Sequence, residues 1–428
     1  MILNRLTIGW MAATVVACAL ASPAVAQIGL PSTLPSLPSG LTDRIPQRGT
    51  LEGLARDAVE DALKAPARLT DLVRSSRGAL QTDPNGWPVV TGEVVAVDLP
   101  QAARDQALAA GFTVLREERL DALDLSIVVL APPRRLTLDR AVRRLCDMAP
   151  GTEITFNHVA TPAGMAAAPF APPASAQTTG AAPGARLGLI DTGVEATHPA
   201  LAGSAVEQRG FSGPPQMGAH GTAVASLMVG DVGVFKGGDP GAALLVADIY
   251  GGRAAGGSAT ALASALAWMV ERRVAVVNIS LVGPRNALIE RAVSAAQRRG
   301  VILVAAVGND GPAAPPLYPA AYPQVIGVTA VNAQGRVLPE AARGDQVDYA
   351  APGADMAAAG RAGSFVSVRG TSFAAPLVAG LMAKSGRQAL NAIDAGASGR
   401  DAVYGQGVAG LSLRTPPAAV GARGRLAS

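Results

Sequence analysis

Apolar positions recur along this chain at two spacings, and the changes of spacing divide it into elements. Leu51, Leu54, Ala55, Ala58, Ala62 and Leu63 fall at helical spacing with Glu52, Arg56, Asp57 and Glu60 turned away, which predicts a short amphipathic helix. From Val89 the pattern shortens. Val89 to Leu99, Phe112 to Leu115, Asp124 to Ala131 and Ile154 to Val159 predict strands. Pro100 to Gly111 and Leu138 to Met148 predict helices, the second with Val142 and Leu145 on one face. The resulting β-α-β-β-α-β order over residues 89–160 is the layout of a small ferredoxin-like α+β domain.

Residues 161–184 break the pattern. Rich in Ala, Pro, Gly, Ser and Thr, they bury too little apolar surface to fold alone and are expected to form an extended, accessible linker. Beyond it, Ala243 to Tyr250, Val274 to Ser280, Val301 to Val307 and Gln324 to Val331 are continuous apolar runs, alternating with helical stretches at 258–272 and 286–299. Runs of that kind are strands covered on both faces, so an α/β fold with a doubly wound, mainly parallel sheet is expected over 185–390. Residues 391–428 read as a C-terminal tail.

Composition agrees with a chain of about two domains. In 428 residues, 49% are hydrophobic and 16% charged, enough for a large core, although much of the apolar fraction is alanine. The basic residues are nearly all arginine, Lys64, Lys236 and Lys384 being the lysines, and they are scattered rather than interleaved with aromatics. No nucleic-acid partner is expected. At the N-terminus, Arg5, the apolar run Ile8 to Leu20 and Ala24-Val25-Ala26 have the form of a signal peptide over 1–26, which implies secretion or export to a periplasm. Val15-Val16-Ala17-Cys18 is loosely compatible with lipoprotein processing instead, which would tether the chain to a membrane through Cys18. If cleavage follows Ala26, Cys146 remains as the sole cysteine and no intrachain disulfide forms. Residues 27–88, with Pro31, Pro35 and Pro38 among Ser and Leu, read as a lead-in with short helices.

The candidate chemistry lies in four short segments. Asp191 follows the apolar run ending at Ile190, which would put a carboxylate at the carboxyl end of a buried strand; on its own, Asp-Thr-Gly is also a turn signal. His220 opens His-Gly-Thr ahead of Val224 and Leu227, at the exposed start of a predicted helix. Of the other histidines, His198 precedes Pro199 and reads as a structural loop residue, and His158 lies outside this region. Ser372, in Gly370-Thr371-Ser372, stands where an apolar helix begins, either as a cap or as a nucleophile. Pro376 is tolerable there only within the first turn. Asn309 ends the strand-like run through Val307, where Asn-Asp-Gly is also ordinary turn chemistry.

Acid, base and serine in that chain order, with DTG, HGT and GTSFAAP around them, resemble the subtilisin-like (subtilase) serine proteases over roughly residues 183–390. The resemblance implies that Asp191, His220 and Ser372 are a catalytic triad and that Asn309 is the oxyanion-hole donor. It also implies that Ser280, Leu281, Val282 and Gly283 belong to the strand pairing with substrate. The pocket's depth is expected to depend on Leu281, Val282, Ala305 and Ala306. The 89–160 region resembles the inhibitory propeptide of many subtilases, which implies protein or peptide substrates, the chain's own propeptide as an intramolecular inhibitor, and autocatalytic cutting between about 161 and 184. The chemistry requires no cofactor; calcium is permitted by the resemblance, but no dense Asp/Asn loop marks a site. Gly251-Gly252 and Gly256-Gly257 lack dinucleotide-binding spacing and read as turns. Two rival classes are an inactive subtilase-shaped binding protein, which would be expected to lack a triad residue, and a serine esterase, which would want GxSxG and a different order.

Overall fold

Strand β2, Pro88–Val97, is apolar along nearly its whole length because both of its faces are covered. Val94 and Ala96 face a small core with Ala107, Phe112, Leu130, Leu138, Ala141 and Leu145. Val95 and Val97 face the opposite way, into a cluster shared with Ile127, Val129, Leu262, Leu266, Ile289 and Val293. The computed structural model describes residues 67–163, 178–179, 187–386 and 389–427. The signal-like segment, Cys18, the helix expected at 51–63 and most of the expected linker lie outside the described residues.

Around β2 are β1 (Leu80–Thr82), α1 (Gln101–Ala109), β3 (Thr113–Leu120), β4 (Leu125–Ala131), α2 (Leu138–Met148) and β5 (Glu153–His158). All pairings are antiparallel: β4 lies between β2 and β3, and β2 also pairs with β1 and β5. Residues 67–75 are helical, so the lead-in expected to end at 88 already contains a helix and β1. The elements from 67 to 158 and the larger part that follows belong to one unit of the chain. Its helices α4 (Ala259–Glu271) and α5 (Ala287–Arg298) cover the second face of the small sheet. Asn286, which caps α5 through its side-chain oxygen, has its Nδ2 within 3.2 Å of Thr155 Oγ1, 3.0 Å of the Phe156 carbonyl oxygen and 2.9 Å of His158 Nδ1, among which its two N–H groups are shared. Asn157 Oδ1 accepts from the Thr260 N–H in the first turn of α4, at 3.2 Å. Each contact occupies a helix N-terminus, where backbone N–H groups lack intrahelical partners.

The larger part is built on a nine-stranded sheet. Its strands are β7 (Leu187–Asp191), β8 (Val206–Gly210), β9 (Leu244–Asp248), β10 (Val276–Ile279), β12 (Ile302–Ala306), β13 (Val325–Val331), β14 (Tyr349–Pro352), β17 (Ala392–Ile393) and β18 (Val408–Ala409). The order is β17-β18-β14-β13-β12-β10-β7-β9-β8, parallel throughout except at β17-β18. The chain builds β8 and β9 on one side of β7, then crosses to β10 on the other. Carboxyl ends at such a reversal open a crevice between connections that diverge, and Asp191 ends the strand at that point. α4 and α5 cover one face; α3 (Ala219–Val229) and α6 (Thr371–Lys384), buried almost all round, cover the other.

Three expectations are corrected. Residues 391–428 are not a separate tail: β17 and β18 extend the main sheet, and β19 (Arg425–Ala427) pairs with β16 (Phe365–Arg369), itself antiparallel to β15 (Met356–Ala359), so the fold runs on to 427. Sequence spacing misses this because strands of two or three residues carry no periodicity. The linker does not begin at 161. Thr161–Pro162 form β6, antiparallel to β11 (Leu281–Val282), and Ala163 is fully buried. Finally, Pro376 is the sixth residue of α6 and lies beyond its first turn. The Ser372 carbonyl, which an N–H at 376 would have served, instead accepts from Ser280 Oγ at 2.9 Å.

Candidate active site

Asp191 and His220 meet through a local geometry that the strand and helix impose. Asp191 is fully buried at the end of β7, with Oδ1 accepting its neighbour's N–H from Thr192 at 2.7 Å. His220 is the second residue of α3, and its Nδ1 lies 2.9 and 3.0 Å from the two Asp191 oxygens. The carboxylate orients the ring through Nδ1, which leaves Nε2 on the other side of the ring. His220 was expected at an exposed helix start. It is 2% exposed, its ring 5.5 Å from that of Phe373, and Nε2 has no hydrogen-bond partner among the described residues. A buried ring nitrogen without a partner costs stability, and a role in proton transfer is one reason for a protein to keep it.

Asp248, in register with Asp191 on β9, is also buried. Burial pushes its carboxyl up, while N–H donors from Gly251, Gln216, Tyr250 and Gly193 oppose that shift. It therefore gathers the loops on both sides of Asp191. Tyr250 is held well above its ordinary range by burial and by the Asp191 and Asp248 charges, so its hydroxyl stays a neutral donor.

Ser372 is fully buried one residue inside α6, after Gly370, whose φ of 136° turns the chain into the helix where a side chain would be strained. Its Oγ donates to the Ser280 carbonyl at 3.2 Å and lies 3.5 Å from the Ala163 carbonyl oxygen. Asn309 joins these parts. Its Oδ1 accepts the Thr371 N–H at 3.0 Å, and its Nδ2 donates to Ala163 O at 2.7 Å. One carbonyl thus lies against both the serine hydroxyl and the amide donor.

The chain holds Ala163 there from both sides. Leu281 and Val282 pair with Pro162 and Thr161, and Ala163 N–H reaches the Ser280 carbonyl at 3.4 Å. Across the segment, Ala160 N–H donates to Gly257 O at 2.8 Å, Tyr250 Oη donates to Ala160 O at 3.0 Å, and Val159 bridges Ser258. An extended segment clamped between two strand edges is held mainly by backbone bonds, which do not depend on its side chains. Of the residues expected to pair with substrate, Leu281 and Val282 pair here with the chain's own Pro162 and Thr161, and the Ser280 carbonyl faces the Ala163 N–H. Gly283 instead exchanges backbone bonds with Tyr318, at 2.9 and 3.0 Å. The opposite edge, Tyr250 and Gly257, was missed, because Gly256-Gly257 carries an ordinary turn signal and nothing local shows what lies across it. Among the described residues no three acidic, histidine or cysteine side chains form a metal-binding group.

Comparison with known proteins identifies the family. Residues 182–395 match the family model described as the Subtilase family, Peptidase_S8. Thermitase of Thermoactinomyces vulgaris is 32% identical over 235 residues, spanning 52% of this chain and 84% of the relative. Subtilisin Savinase of Lederbergia lenta is 34% identical over 206 residues, 47% of this chain and 75% of its own. The chain spans about half the length of other curated relatives it matches, such as M-protease of Shouchella clausii at 53%. In fold it is similar to fervidolysin from Fervidobacterium pennivorans, a keratinolytic enzyme related to subtilisin, with a TM-score of 0.62, 20% identity, and coverage of 79% of this chain and 63% of that one. With one relative of known kind matched over most of its length and the family model matched across residues 182–395, which include Asp191, His220 and Ser372, the chain belongs to the subtilase family of serine endopeptidases.

Proposed function

We propose that this chain is an exported zymogen whose protease part first cuts its own Ala163–Gly164 bond and then hydrolyses other proteins or peptides. The observation that carries the reading is the Ala163 carbonyl oxygen, 2.7 Å from Asn309 Nδ2 and 3.5 Å from Ser372 Oγ. In the reaction His220 Nε2 takes the Ser372 proton as Oγ bonds to the Ala163 carbonyl carbon. Asp191 stabilises the imidazolium, and Asn309 receives the oxyanion. The C–N bond to Gly164 then breaks, the proton on Nε2 passes to the leaving amine, and an ester joins Ala163 to Ser372. Water, deprotonated by His220, releases the acid and restores the serine.

The ferredoxin-like unit ending at 158 acts in this reading as the inhibitory propeptide. After the cut it still presents Ala160 to Ala163 to both strand edges, and its second face still packs on α4 and α5. A tethered segment competes at a high effective concentration, so substrates gain entry only once it leaves. Export follows from the signal-like residues 1–26.

Expression of the full chain and of Ser372→Ala without other proteases tests the reading. The wild type is expected to yield a fragment whose N-terminus is Gly164, and the variant to accumulate uncut. Cutting of Ser372→Ala at the same bond, or an active form that begins near Gln27, would overturn it.

A further inference from the structure

The residue that precedes the proposed cut is an alanine, and the space around its methyl group is already filled. Ala163 is fully buried in one apolar cluster with Val282, Ala306 and Leu317. Leu317 is 4% exposed, and its Cδ1 lies 2.6 Å from the position a Cβ on Gly308 would take, with Val282 Cγ1 3.7 Å from that same position. Gly308 immediately precedes Asn309, whose amide grips the Ala163 carbonyl. It adopts φ 102°, so both its conformation and the approach of Leu317 require the absence of a side chain.

Three pieces of chain therefore converge beside Ala163. Ser280 to Val282 run along one wall, Gly308 and Asn309 form the other, and Leu317 closes the space between them. Leu317 is fixed there by its neighbour, since Tyr318 exchanges both backbone bonds with Gly283 at the end of the wall strand. That pair fixes the backbone beside Leu317, and burial in the apolar cluster leaves its side chain little room for another rotamer. Packed interiors do not yield to added volume: extra methylenes force side chains off their rotamers or shift backbone.

We propose that Leu317 closes the pocket for the side chain preceding the scissile bond, so that the enzyme cuts after small residues such as Ala, Gly or Ser and rejects large apolar and aromatic ones. This rests on the endopeptidase reading above and names its substrate class: extended segments with a small residue at the cut, of which Ala160-Thr161-Pro162-Ala163 is the chain's own example. Selection comes from exclusion, because the backbone pairing to β11 and Gly257 is available to any sequence.

The test compares the wild-type mature enzyme with Leu317→Ala and Leu317→Gly on two chromogenic anilides, N-acyl-Ala-Thr-Pro-Ala and N-acyl-Ala-Thr-Pro-Phe. The wild type is expected to favour the Ala substrate in kcat/KM by a factor on the order of 10². In the variants the Phe substrate should gain at least about tenfold relative to the Ala substrate, the vacated volume now admitting the ring. If a variant does not fold, the wild-type ratio still decides. Equal hydrolysis of both substrates by the wild type, or a ratio unmoved in a folded variant, overturns the role of Leu317 alone. Hydrolysis of neither, with no labelling of Ser372 by an active-site serine probe, overturns the endopeptidase reading and this inference with it.

Discussion

Asn309 performs two tasks with one amide, and substitution can separate them. Its Oδ1 holds the Thr371 N–H at 3.0 Å in the first turn of α6, and its Nδ2 holds Ala163 O at 2.7 Å, both in buried surroundings. In Asn309→Ala the Thr371 N–H loses that acceptor, at a cost of about 1–3 kcal/mol in stability for an unsatisfied buried donor. In the proposed reaction Nδ2 is the donor to the charged intermediate, and its loss is expected to cost roughly 10²–10³ in kcat or about 2.7–4 kcal/mol, a range already measured for such an amide donor in subtilisin. Asn309→Asp keeps an acceptor for Thr371 but turns a negative oxygen toward the developing oxyanion. The Asp variant is therefore expected to unfold in urea closer to the wild type than the Ala variant does, while losing at least as much kcat. KM should change little in either, since the ground-state carbonyl draws less from the donor than the oxyanion does. Steady-state hydrolysis of the Ala-Thr-Pro-Ala anilide, corrected for the folded fraction, together with urea unfolding of the same samples, checks both halves. Loss of stability in Asn309→Ala with kcat per folded molecule near the wild-type value would remove the side chain from the chemistry and leave it a helix support.

Ser280 and Pro376 are expected to be coupled. Ser280→Ala strips the donor from the Ser372 carbonyl and should cost about 1–3 kcal/mol in urea unfolding; in a Pro376→Ala background, where an N–H is restored to the helix, the cost should fall. Equal costs in the two backgrounds would show that the serine does not substitute for the missing N–H. Asp83 predicts an acid response. Burial works against its charge, but the hydrogen bond from His158, 3.3 Å away, with N–H donors from Trp87 and Asn85, outweighs it and lowers the carboxyl below its ordinary value. A depressed folded pKa means that this contribution to stability is fully present above the unfolded value of about 3.9 and is lost as pH falls through the folded one. Urea unfolding of wild type and Asp83→Asn should therefore differ at neutral pH and converge below that window; a constant difference would refute the assignment.

Much of the site was legible because its signals are local. An apolar run ending in Asp191, a histidine opening a buried helix and a serine after Gly370 each advertise an element and its end, and the strand and helix bounds at 244–248, 259–271, 287–298 and 325–331 fall within a few residues of the spacing. Steric rules acting over a handful of residues decide such features. The apolar run of β2 likewise revealed a strand. That its second face is covered by α4 and α5 could not be read, since a buried face looks the same whichever partner buries it.

What only the tertiary structure decided depends on pairings between distant segments. Thr161 to Ala163 have the composition of a loose linker, yet become a strand because β11 offers them an open edge and Asn309 a donor, both more than 100 residues away. Gly257 and Tyr250 join the site by facing Ala160, Leu317 by lying against Gly308, and Ser280 by serving a carbonyl that Pro376 cannot. Residues 392–427 belong to the fold through strands too short to show a period. A sequence records which groups a residue carries and what its neighbours allow. Which unpaired edge, empty space or orphaned carbonyl it meets is settled only when the chain closes on itself, because those partners are fixed by the packing of the whole sheet.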